Sequence, residues 1–313
     1  YGANEKIDIN FGTHPTITTV STDVIGSFTT TFTIDTQRYG TTTIMAIDSG
    51  VAESTFFIIP NITVITPSAA TVGTIITLQG NGFGASKTLM VAFGTTPSIQ
   101  FTSTYAEGSF TTTFTIDTQP YGITTIVVHG SEEAYGTFTV LPNIILITPA
   151  QGSVGTIITV RGNGYGASRT IRLEFGTTPS IQFTSTYAEG SWTTTFTIDT
   201  QRYGLTTIVA HGDDQGINAQ GTLTILPNII LITPTEGTVG TIITVRGNGY
   251  EASSIIRLEF GTTPTIQLTS TYAEGSFTTT FTIDTQQYGQ TTVVAHGNGI
   301  HAEGTLTILP NII

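Results

Sequence analysis

Residues 109–116, SFTTTFTI, alternate strictly between two kinds of position. Phe110, Thr112, Phe114 and Ile116 fall on one side, and Thr111, Thr113 and Thr115 on the other. A period of two is that of a β-strand with one buried face. Across residues 60–141, apolar and Thr-rich runs of four to eight residues are separated by clusters of Gly, Pro, Asn and Ser. The pattern predicts seven strands, at about 61–66, 74–79, 88–93, 98–104, 109–116, 123–129 and 136–141. No stretch of the chain shows helical periodicity. Seven short strands in about 83 residues predict an all-β fold, an immunoglobulin-like sandwich.

The strand segment is part of a longer string written three times. STYAEGSFTTTFTIDTQ occupies 103–119 and 270–286, and recurs at 185–201 with Trp192 in place of Phe110. The substitution asks for a large aromatic at that position. The marker Pro-Asn-Ile begins at Pro60, Pro142, Pro227 and Pro310, at spacings of 82, 85 and 83. The differences trace to one loop, which reads SEEAY, DDQGINAQ or NGIHAE. A fixed scaffold with one variable loop is the signature of a repeat array. The expected domains are 60–141, 142–226 and 227–309. Residues 1–59 form a partial repeat lacking its first strands, because YGANEKIDINFGTHPTI matches YGASRTIRLEFGTTPSI at 165–181. Residues 310–313 open a further repeat. This is the pattern of a segment cut from a longer tandem array. The alternative is that a neighbouring chain supplies the missing strands, as in donor-strand complementation. Linkers as short as Leu141-Pro142-Asn143 predict a stiff, rod-like arrangement.

The segment ITPAQGSVGTIITVRGNGYGAS at 147–168 resembles the IPT/TIG immunoglobulin-like domains. The later GSFTTTFTI and YGTTTI motifs resemble tandem versions found in large prokaryotic surface proteins. The resemblance covers three units fully and the first in part. It implies tandem immunoglobulin-like sandwiches on the outside of a prokaryotic cell. Relatives of this kind also stand beside carbohydrate-active domains and in DNA-binding factors, so the resemblance constrains fold more than function.

Composition narrows the function further. Charged residues are only 10% of the chain, and the net charge of −12 reflects scarce basic residues. Nine Lys and Arg spread over four units make no basic stripe, which argues against nucleic acid as a partner. Cysteine is absent, so there is no disulfide, thiol nucleophile or thiolate metal site. No apolar run reaches the ~18–20 residues of a membrane span.

Candidate chemistry is sparse. GNGFGA at 80–85 has the glycines of a dinucleotide fingerprint but no βαβ context, so it reads as a tight turn. His129, His211 and His296 share one equivalent position, without a second ligand nearby in sequence. The acidic pairs Glu132/Glu133 and Asp213/Asp214 raise the question of calcium, but no such pair recurs in the fourth unit. Each unit carries an Asp and a Tyr four apart, as in Asp117/Tyr121, which reads as an Asx turn with a buried tyrosine corner. No hydrolase, metalloprotease or nucleotide motif is present, so no enzyme activity and no cofactor are expected.

Apolar surface remains to be explained. NIILITP at 143–149 and 228–234 is apolar at consecutive positions, and Ile157 and Ile242 stand beside inward-facing Ile158 and Ile243. A charge-poor surface with such positions expects cover. The contact positions expected are Ile145, Ile147, Ile157, Ile230, Ile232 and Ile242. The partners expected are copies of the same chain. The function expected is a non-enzymatic extracellular structural protein that self-assembles into a filament, sheath or surface layer. The alternatives are an adhesin stalk and an accessory region of a secreted carbohydrate-active enzyme. For the last, Tyr105, Tyr187 and Tyr272 in the TYAEGS turns would contact surface glycans.

Overall fold

A strand that alternates Phe and Thr must lay its Phe face on a second sheet. The computed structural model, which describes residues 1–213 and 216–310, shows where each such face goes. It divides into two compact units, Tyr1–Leu141 and the chain from Pro142 onward.

In the first unit, residues 1–59 build one antiparallel sheet from β1 (Lys6–Phe11), β2 (His14–Ser21), β3 (Gly40–Ile47) and β4 (Val51–Ile58). Its order is β2-β1-β3-β4. The second repeat has β5 (Asn61–Thr66), β6 (Ala69–Thr71), β7 (Ile75–Asn81), β8 (Thr88–Phe93), β9 (Thr96–Ser103), β10 (Phe110–Thr115), β11 (Gly122–His129) and β12 (Glu133–Leu141). These form two sheets, β10-β7-β5 and β6-β12-β11-β8-β9. Ile76, Leu78, Phe110 and Phe114 from the first sheet meet Val91, Phe93, Ile126 and Phe138 from the second in one buried cluster. The ring of Phe93 lies 5.4 Å from Phe114 and 5.6 Å from Phe138. This is the expected sandwich. It has one strand more than the sequence pattern indicates, since three-residue β6 pairs parallel with β12.

The second unit holds two more sandwiches of the same plan. In each, a three-stranded sheet (Asn143–Thr148, Ile157–Asn163 and Trp192–Thr197 in the third repeat) faces a five-stranded one. Trp192 is buried where Phe110 and Phe277 stand. Its indole lies over Gly162, and a Cβ on that glycine would collide with it.

The apolar run NIILIT does not alternate because its strand carries a bulge. Ile144 pairs with Gly162 and Leu146 with Arg161, leaving Ile145 as the extra residue. A bulge shifts the side-chain phase, so Ile144 and Ile147 both pack on the core. Ile229 and Ile232 do the same in the fourth repeat. Ile147 and Ile232 are therefore core positions, against the expectation that they are contact positions. Ile145 and Ile230 point outward and are exposed.

The first repeat departs from its own sequence. SFTTTFTI at 27–34 is identical to 109–116, yet residues 27–34 form no strand. Among the described residues no strand pairs with 27–34, whereas β7 pairs with β10 in the second repeat. Its core cluster is reduced to Ile7, Ile9 and Ala46, with Phe28 and Phe32 laid over them.

Candidate functional surfaces

The recurring STYAEGS turn is built to hold two things. Inside its own repeat, buried Thr104 accepts the N–H of Lys87 at 2.8 Å and donates to the Gly84 carbonyl at 2.6 Å. Thr186 and Thr271 repeat this clip on Gly166 and Glu251, and Thr22 repeats it on Gly2. The clip ties the turn to the GNGFGA loop, where Gly82 turns at φ of +78°, while Gly80, against the turn reading, is still in β7 beneath Phe110. Outside its repeat, the turn receives the loop that precedes β3. Arg38 Nε donates to the Ala106 carbonyl at 2.5 Å, and the Tyr39 N–H donates to the Phe83 carbonyl at 3.0 Å. In the second unit Arg202 binds Ala273 at 2.6 Å and the Tyr203 N–H binds Tyr250 at 3.2 Å. The same joint thus links repeats one to two and three to four.

The tyrosine-corner expectation fails. Tyr121 and Tyr203 are exposed, and Tyr288 is the most exposed of them. The buried residue of the DTQ loop is the glutamine. Gln119 donates to the Phe93 carbonyl at 3.2 Å and to Asp117 at 2.9 Å, and accepts the Thr95 N–H at 3.0 Å. A buried amide satisfied on both ends pins the loop to the end of β8. The tyrosines that are buried instead close the GNGY motif. Tyr165 and Tyr250 donate to Ala210 and Ala295 at 3.1 and 3.0 Å. Burial raises both hydroxyls well above the ordinary tyrosine range, against a lesser opposing effect of the Ala219 and Ala302 backbone.

The remaining polar candidates are engaged on the surface. His129 pairs with Glu133 at 2.7 Å, His211 with Glu174 at 3.0 Å and His296 with Glu259 at 3.1 Å. Hydrogen bonds from Tyr135 and His129 hold the Glu133 carboxyl below its usual range. Glu132 accepts the Tyr39 hydroxyl at 2.8 Å, and Asp213 accepts the Thr170 N–H at 3.2 Å. Asp214 lies outside the described residues. Among the described residues, no three His, Asp or Glu side chains gather as a metal site.

Tyr105, Tyr187 and Tyr272 are all exposed at the same turn position, 56%, 58% and 56%. Beside the first of these turns, the joint in the first unit leaves an open polar cleft of about 670 Å³ between Arg38, Gln37, Thr42 and Glu107. The tyrosine ring does not line it.

The two outer faces of the third and fourth sandwiches differ in character. On the five-stranded sheets of repeats three and four, Arg172, Glu174 and His211, and Arg257, Glu259 and His296, form charged rows across neighbouring strands. On the three-stranded sheets, the outward residues are mostly Thr. Ile157 pairs with Thr197, Thr159 with Thr195 and Arg161 with Thr193. The second and fourth repeats match this, with Ile75 opposite Thr115 and Ile242 opposite Thr282. The three isoleucines are 63%, 64% and 64% exposed.

No protein-family model matches the chain, and no curated protein matches it. The solved structures similar to it include a tetra-tandem repeat in the extending region of a large adhesion protein, at 13% identity and TM-score 0.26, covering 98% of this chain and 92% of that one. The Yersinia pseudotuberculosis adhesin InvE is 15% identical with TM-score 0.26, over 53% of this chain and 58% of that one. A Ca2+-stabilized adhesin of an Antarctic bacterium is 13% identical with TM-score 0.21, over 98% and 91%. At TM-scores this low, the likeness carries no argument about function. The resemblance to IPT/TIG domains therefore rests on the motif residues.

Proposed function

We propose that the chain is a non-enzymatic structural repeat protein of the cell exterior. Its repeats bind other copies of the chain through the outer faces of their three-stranded sheets. The observation that carries this reading is the recurrence of one exposed isoleucine, Ile75, Ile157 and Ile242, in the same Thr-lined setting in three successive repeats. A stiff β-branched face loses little side-chain freedom on being covered. It carries one charge in the third repeat, Arg161, and one in the fourth, Arg246. A stable interface buries ~1,200–2,000 Å² in all. Several faces on one chain bind together, which converts weak contacts into firm ones. The resemblance to tandem domains of prokaryotic surface proteins supports an extracellular, prokaryotic setting.

A second reading is that of a stalk, which holds another domain away from the cell. It is favoured by the Arg38–Ala106 and Arg202–Ala273 joints, which tie consecutive repeats together and need no partner chain. Electron microscopy of the native material separates the two. Filaments or layers thicker than one sandwich support assembly. Single unassociated chains at all concentrations refute it and leave the stalk.

A further inference from the structure

One outward position of the five-stranded sheets is histidine in three successive repeats, and the residue across from it changes each time. His129 stands opposite Glu133, His211 opposite Asn218 and His296 opposite His301. In the second repeat Nδ1 of His129 meets the Glu133 carboxylate at 2.7 Å. In the third, Nδ1 of His211 lies 2.9 Å from the Asn218 amide oxygen. The fourth repeat sets a second imidazole in that place. The ring centres of His296 and His301 are 6.0 Å apart, with their planes tilted by 38°. Nε2 of His296 is already engaged, 3.1 Å from Oε2 of Glu259. An ionised carboxylate only accepts, so Nε2 of the neutral ring carries the proton and Nδ1 presents its lone pair. Metal-ligating histidines are almost always held at their other nitrogen in this way.

We propose that His296 and His301 form a two-histidine site for a divalent transition cation of the zinc class, with water completing its coordination shell. Imidazole nitrogen suits such ions, whereas calcium calls for six or more oxygens. Zinc bonds imidazole nitrogen at ~2.0–2.1 Å, which puts the centres of two ligating rings about 5–6 Å apart. The observed pair stands at the wide end of that range, so a small side-chain rotation closes it. His301 is exposed and His296 half-buried, which leaves the pair open to an ion from solvent. The charged neighbours on the same outer face are Glu259, Glu303 and Arg257, two carboxylates against one guanidinium, a balance that favours a cation. Glu259 is a positioning residue, acting through His296. The third repeat is a built-in control, because neutral Asn218 and Gln220 stand there in the places of His301 and Glu303. The site uses none of the outward isoleucines of the lateral contact, and it stands or falls apart from it.

The test titrates the whole chain with zinc chloride alone, in a non-chelating buffer at neutral pH. Calorimetry reads uptake, and NMR of the imidazole nitrogens reads its place. One zinc per chain is expected, with the His296 and His301 signals moving and those of His211 staying put. His301→Asn rebuilds the pair that the third repeat already folds with. It should weaken uptake by at least about tenfold, since losing a ligand costs no less than losing an outer-shell partner. Unmoved His296 and His301 signals at a large excess of zinc overturn the proposal. Equal uptake by the His301→Asn chain overturns it as well, because the ion then binds elsewhere.

Discussion

Arg38 reaches out of its own repeat and donates its Nε–H to the carbonyl of Ala106 at 2.5 Å. Beside it, the Tyr39 N–H bonds the Phe83 carbonyl, so side chain and backbone hold the joint together. The guanidinium is exposed, and water competes for it. A net contribution of about 0.5–1.5 kcal/mol is expected of such a bond. Replacing Arg38 by Ala should therefore speed hydrogen exchange of the Tyr39 amide by roughly 3- to 10-fold and leave the β7 and β10 amides unchanged. Unaltered Tyr39 exchange would show that the backbone bond alone holds the joint.

Two glycines separate backbone strain from collision. Gly73 has φ of +90° and open space around its Cβ position, whereas Gly108 has φ of +80° and its Cβ would collide with the Phe83 carbonyl oxygen. Gly73→Ala should cost about 1–2 kcal/mol, the strain of a left-handed alanine. Gly108→Ala should cost about 3 kcal/mol or more, since backbone must move as well. Hydrogen exchange of the core amides 110–115 measures both on one scale. Equal effects would mean that the turn shifts freely to admit the methyl group.

The two-residue period of SFTTTFTI made the strand and its buried face readable from sequence alone. The same alternation at 27–34 forms no strand, because alternation describes a strand's preference and not its pairing. The buried face of NIILIT was hidden by the bulge at Ile145, which puts inward residues three apart and so made Ile147 look like an outward position. The three-residue β6 is too short to produce any pattern. In the DTQxYG loop the Asp–Tyr spacing pointed to Tyr121 as the buried residue. Gln119 won because an amide can satisfy a carbonyl, a carboxylate and an N–H at once. The tyrosine hydroxyls that are buried, on Tyr165 and Tyr250, each reach a backbone carbonyl on another strand. No sequence spacing announces that pairing.

Alkali should act on the third and fourth repeats through Tyr165 and Tyr250. Their folded-state pKa values are raised by burial. The stability each contributes is full below the unfolded value of about 10 and is lost as pH climbs above it, because only the unfolded chain then ionises. The loss is about 1.4 kcal/mol per pH unit for each tyrosine. The second repeat has Phe83 at this position and lacks the effect. Trp192 is the only tryptophan and lies in the third repeat, so its fluorescence reports that repeat's unfolding. Its urea midpoint should fall between pH 9 and pH 11, and Tyr165→Phe should flatten that fall while lowering the midpoint at neutral pH. A slope unchanged by Tyr165→Phe would place the alkaline sensitivity elsewhere.

The lateral contact is tested by charge placed where the Thr-lined faces are uncharged. Ile75, Ile157 and Ile242 are outward and solvated in the single chain, so lysine at all three should change folding by less than about 0.5 kcal/mol each. In an assembly each lysine would have to be desolvated against an apolar face, and each buried isoleucine is worth about 1.5–3 kcal/mol. With three sites acting in concert, the triple variant should abolish association by analytical ultracentrifugation, while the Trp192 unfolding midpoint stays put. Thr137→Lys supplies the control, since Thr137 is an exposed residue on the outer face of a five-stranded sheet. That variant should associate as the native chain does. If instead Thr137→Lys disrupts association and the three isoleucine variants do not, the contact lies on the five-stranded face, and the Thr-lined face is only the solvent side of the sandwich.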